Sequence, residues 1–108
     1  MKTRTHLPPG PDADAGLRAL AQVLAALRDP AAVAAFLQDL CTPAELEALA
    51  DRWKVVPLLR AGTPYRAIHD RTGVSVTTIG RVARTLERGA GGYAAALATL
   101  PASDRGSR

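Results

Sequence analysis

Cysteine, aromatic residues and long apolar runs are all scarce in this sequence, and each scarcity excludes something. The single cysteine, Cys41, leaves no disulfide framework. Beside Leu40 and Thr42 it reads as a small buried hydrophobe. With only Phe36, Trp53, Tyr65 and Tyr93 as aromatics, any core must be built from Leu, Val, Ile and Ala. No run reaches the roughly eighteen apolar residues of a membrane span. Residues 1–9 lack the apolar stretch of a secretory signal, so a cytoplasmic protein is expected. His6 and His69 stand far apart, and neither joins other ligand types at metal-binding spacing, so no metal is expected. Period-two alternation is missing too, which argues against strands and against the glycine-rich loop that follows one in nucleotide-binding folds. No nucleophile–base or acid–base set can be assembled. An enzyme is therefore not expected, nor any cofactor.

What is present is a chain of 108 residues, 47% hydrophobic and 22% charged, the composition of one globular domain. Its net charge of +4 is unevenly spread. Residues 1–50 carry four basic and six acidic side chains, whereas residues 51–108 carry ten basic and four acidic. A basic half suits a polyanionic partner, although an arginine-rich solvated surface would give the same count.

Helical signals follow one another along the chain. Residues 1–13, with Pro8, Pro9 and Pro11, read as a disordered arm. A helical domain is expected over 14–100 and a polar, disordered tail over 101–108. Leu17, Leu20, Val23, Leu24 and Leu27 share one helical face. Asp29-Pro30 caps a second helix that turns Val33, Phe36, Leu37 and Leu40 inward. Thr42-Pro43-Ala44-Glu45 is a capping box opening a third, with Leu46, Leu49, Ala50, Trp53, Val56 and Leu59 at helical spacing. Pro57 should bend that helix without breaking it, and Gly62 should end it. Thr63-Pro64 repeats the cap-and-proline device before a short helix from Tyr65. After Gly73, Ser75 caps a helix carrying Val76, Ile79, Val82 and Leu86, and a last helix is expected over 93–100.

Two short helices joined by a glycine turn at 64–86 form a helix-turn-helix pattern. Ile68, Val74, Ile79 and Val82 would hold the pair together. The second helix then keeps a free flank bearing Ser75, Val76, Thr77, Thr78, Gly80, Arg81 and Arg84. Hydroxyls suit phosphates and base edges, and arginine serves either. Arg66, Arg71 and Arg88 add phosphate contacts or steering. A mid-helix glycine costs about 1 kcal/mol relative to alanine, so Gly80 asks for a close approach, by DNA or by another helix. His69 departs from the pattern, which usually has a small residue four places before the glycine.

The runs Leu40-Cys41-Thr42-Pro43-Ala44-Glu45-Leu46-Glu47-Ala48-Leu49-Ala50-Asp51-Arg52 and Gly73-Val74-Ser75-Val76-Thr77-Thr78-Ile79-Gly80-Arg81-Val82 resemble the Trp-repressor superfamily. The glycine-rich segment ending Gly91-Gly92-Tyr93 is similar to its YerC/YecD-type branch. The resemblance spans roughly residues 16–100. It implies an all-α, six-helix fold, an intertwined homodimer and binding to double-stranded operator DNA through two helix-turn-helix units. Two apolar N-terminal helices in so short a chain independently favour a dimer, because one copy can hardly bury them.

The resemblance also implies a corepressor pocket. Thr42 matches a threonine lining it, Arg52 and Arg81 match the two arginines flanking the indole, and Thr85 matches a serine near the ligand's polar end. Val82, however, stands where tryptophan-binding members have glycine, and Asp39 and Cys41 replace leucines. The expectation is therefore a DNA-binding regulator, of the repressor kind, that works without tryptophan or with another small-molecule effector. The alternative is a helical protein-interaction module that does not bind DNA.

Overall fold

Among residues 11–101, which the computed structural model describes, the chain forms six α-helices and no strand. These are α1 (Pro11–Ala26), α2 (Pro30–Leu40), α3 (Pro43–Arg60), α4 (Tyr65–Thr72), α5 (Val76–Arg88) and α6 (Gly92–Leu97). Residues 1–10 of the expected arm and 102–108 of the expected tail lie outside the described residues. Residues 11–13, expected in the arm, instead belong to α1. Proline is accommodated in a first turn because its missing N–H had no helical partner to lose. No described helix is long and apolar enough to cross a membrane.

The chain divides into two units, residues 1–41 and 42–108. In the first, Asp29 caps α2 by accepting from the Ala31 N–H at 3.3 Å, with Pro30 in the first turn as expected. No residue of this unit whose side chain is described is buried. Leu17 is 67% exposed and Val23 is also open to solvent. Leu40, expected inward, is 51% exposed, and Cys41 is only half-buried. Two helices of this length present more apolar surface than they can cover by themselves.

The second unit opens on the expected capping box. The Glu45 N–H donates to Thr42 Oγ1 at 3.1 Å, and the Thr42 N–H donates to Glu45 Oε1 at 2.8 Å. Two of the helix's unbonded N–H groups are thereby satisfied. Thr42→Ala is expected to lower stability by about 1 kcal/mol, read from the urea denaturation midpoint. α3 runs on through Pro57 to Arg60. It ends in a Schellman turn: the Gly62 N–H donates to Leu59 O and the Thr63 N–H to Leu58 O, both at 3.0 Å. The expected Thr63 cap does not form. The Thr63 N–H closes α3, Pro64 occupies the cap position of α4, and no side chain caps that helix.

Helices α3, α4 and α5 pack on one another, with α6 closing the cluster. Its buried residues are Val55 and Val56 of α3, Ile68 of α4, Val74 of the turn, Ile79 and Val82 of α5, and Leu97 of α6. Each fully buried aliphatic side chain contributes about 1.5–3 kcal/mol. Trp53, Leu58, Leu59, Leu86, Tyr93 and Leu100 pack around them. α6 stops at Leu97, short of the residue 100 expected from its spacing.

Candidate nucleic-acid interface

The turn between α4 and α5 is fixed by four local interactions. Gly73 takes φ +77°, a left-handed conformation that a side chain would strain, and its N–H donates to His69 O at 2.8 Å. Thr72 Oγ1 donates to Ile68 O at 2.7 Å and accepts from the Val74 N–H at 3.1 Å. His69 Nδ1 lies 2.8 Å from Val74 O. A carbonyl oxygen can only accept, so Nδ1 carries the proton in this bond. The departure at His69 thus has a structural reason: its ring staples the first helix to the turn. Val74, 4% exposed, anchors the turn in the core.

Ser75 caps α5 by accepting from the Thr78 N–H at 3.1 Å, and its hydroxyl donates to Thr78 Oγ1 at 3.1 Å. The Ser75 hydroxyl is thus engaged both as acceptor and as donor, whereas Thr78 Oγ1 accepts, and Thr78 is half-buried. Ile79 and Val82 fix the inner side of α5, and 3.6 residues per turn then set Thr77, Arg84 and Arg88 opposite them. Val76 and Gly80 border that outer strip on the α4 side, where Tyr65 Cε2 stands 4.0 Å from where a Gly80 Cβ would be. Arg81 borders it on the α3 side.

Arg66, Arg71, Arg81, Arg84 and Arg88 are all exposed. Among the described residues the ion pair found joins Lys54 to Asp51 at 3.4 Å, and none of these five guanidinium groups has an ion-pair partner among them. Arg81, Arg84 and Arg88 line a shallow cleft of about 240 Å³ with Thr85 and Gly89. No group of three or more potential metal ligands occurs among the described residues.

A model of the Trp repressor protein family matches residues 15–101. The chain belongs to the Trp repressor family. It is 45% identical over 62 residues to the uncharacterized protein YerC of Bacillus subtilis (strain 168), a likeness that places it in the YerC-type branch. That stretch covers 57% of the chain and 60% of YerC, so the chain spans less than two thirds of the relative it matches. Among solved structures it is similar to a TrpR like protein from Eubacterium eligens ATCC 27750, with a TM-score of 0.72 and 33% identity. The similarity covers 81% of the chain and 93% of that protein. The six-helix architecture is that of the family.

Three of the four residues matched to the Trp repressor corepressor site do meet. Arg52, Arg81 and Thr85 line a cavity of about 280 Å³ with Thr78, Val82 and Tyr93. Thr42 is not among its lining residues, and its hydroxyl is held by the capping box. The Thr85 hydroxyl donates to Arg81 O at 3.0 Å and is likewise engaged. Tyr93 went unseen in the sequence because it lies beyond the helix break at residues 89–91, and nothing local ties it to Arg52. Tyr65 was missed as a site residue as well. Its position one turn before His69 on a helix whose inner residue is Ile68 would have exposed it.

Proposed function

We propose that this Trp repressor family member is a sequence-specific DNA-binding transcriptional regulator, acting in the cytoplasm as a homodimeric repressor on near-palindromic operators. The observation that carries the reading is the outer strip of α5. It sets Thr77, Arg84 and Arg88 in solvent, free of ion pairs among the described residues, on a helix pinned by its glycine turn. An exposed helix of this kind fits the major groove, with Val76, Thr77 and Gly80 near base edges and the arginines at phosphates. Membership of a family of regulators supports it.

A homodimer is supported by the apolar surface that α1 and α2 leave open, since covering it is favourable by about 25 cal/mol per Å². A two-fold axis would set two copies of α5 about 34 Å apart, one turn of DNA. Fluorescence anisotropy on a labelled duplex across a salt series tests the reading. Affinity that falls steeply and linearly on logarithmic axes supports its DNA-binding part, and weak, salt-insensitive association would favour a protein-interaction module instead.

The DNA-binding state proposed here does not need tryptophan. Val82 puts two methyl groups into the lining of the Arg52–Arg81 cavity, where tryptophan-binding members have glycine. Calorimetric titration with L-tryptophan is expected to show no saturable micromolar binding.

A further inference from the structure

The α4 side of the recognition helix carries an apolar feature that phosphate binding does not use. Val76, the first residue of α5, is 53% exposed, and Tyr65 on α4 is 42% exposed. Together with Arg66, His69 and Asp70 they line an open hollow of about 530 Å³. The His69 ring cannot swing freely across it, because Nδ1 is held by Val74 O. Gly80 keeps the neighbouring turn of α5 low beside Tyr65. The Asp70 carboxylate on the rim disfavours a phosphate in this hollow, although arginines supply the cationic surroundings that draw in a duplex.

From these surroundings we infer that Val76 and Tyr65 form a subsite for the 5-methyl group of a pyrimidine in the major groove. The proposal rests on the DNA-binding reading above and specifies what it recognises. A branched aliphatic side chain at the start of a groove-entering helix can offer a base edge only apolar contact. The major-groove feature that rewards such contact is the methyl carried by thymine or by 5-methylcytosine. Tyr65 walls the methyl from the side.

The test uses the full chain and the duplex that it enriches from a random DNA pool. Each thymine of the enriched site is replaced in turn by deoxyuridine, which removes one methyl and leaves every hydrogen-bonding group in place. One thymine per half-site is expected to matter. Its replacement weakens binding about four-fold, and about fifteen-fold when both half-sites change, the equivalent of one buried methyl each. In Val76→Ala the same replacement is expected to cost less than two-fold. At that position 5-methylcytosine opposite guanine should bind tighter than cytosine, which shows that the methyl is read and not thymine's carbonyl oxygen alone. Specific binding that is indifferent to every deoxyuridine, or a loss unchanged in Val76→Ala, overturns the methyl subsite while leaving DNA recognition intact. A Val76→Ala variant with altered dimerisation and unaltered methyl response assigns the patch to a protein contact and overturns it as well. Failure of any sequence to enrich removes the underlying reading, and the subsite with it.

Discussion

Gly80→Ala is expected to make the protein more stable and a poorer DNA binder at once. A Cβ at position 80 would meet only Arg84 Nη1 at 3.9 Å and Tyr65 Cε2 at 4.0 Å, both ordinary contacts. Packing within the chain therefore does not require glycine there. Of the two reasons for a mid-helix glycine, close approach of another helix of the same chain is removed. Alanine should add about 1 kcal/mol to stability through its helix propensity, seen as a raised urea midpoint. On DNA the same methyl would hold α5 away from the groove. A loss of about ten-fold in affinity, 1.4 kcal/mol, is expected by anisotropy. A variant that is stabilised and binds DNA normally would contradict close approach at Gly80.

Removing Arg84 and Arg88 together should produce a still larger change. Both lie on the outer strip of α5, and neither has an ion-pair partner among the described residues. If each guanidinium meets one phosphate in each of two subunits, four contacts vanish. The slope of log affinity against log salt then flattens by about 3.6, at about 0.9 per contact. The loss should be nearly uniform across sequences, because phosphates carry no sequence information. Thermal stability should hardly move, since exposed arginines without partners contribute little to folding. A slope unchanged in the double variant would place the DNA, if bound at all, on another surface.

What could be read from the residues alone divides along physical lines. Signals that act over three or four positions were legible: the Thr42–Glu45 box, Asp29 before Pro30, Gly73 in its left-handed turn and Ser75 on the Thr78 N–H. They are local hydrogen bonds or backbone demands, and neighbouring residues decide them. The Thr63 cap does not form because α4 begins one residue later than expected, with Pro64, which has no side-chain acceptor, in the cap position. Val55 was missed because α3 is apolar on more than one side, so its spacing alone does not choose between Val55 and Leu49; the first is fully buried and the second is exposed.

The site shows the same division. The outer strip of α5 follows from helical periodicity once Ile79 and Val82 are taken as inner residues. That the Ser75 hydroxyl donates to Thr78 Oγ1 does not follow, because it depends on the side-chain rotamers of the first turn, where Thr77 stands as an exposed hydroxyl. The convergence of Arg52, Arg81 and Tyr93 depends on how three helices meet, and no short-range pattern encodes it.

Selecting bound sequences from a random pool of duplexes is the most direct measurement of whether α5 reads DNA. An enriched inverted repeat, its half-sites centred about 34 Å apart, is the expected result. A pool that stays random after repeated rounds at moderate salt would contradict it.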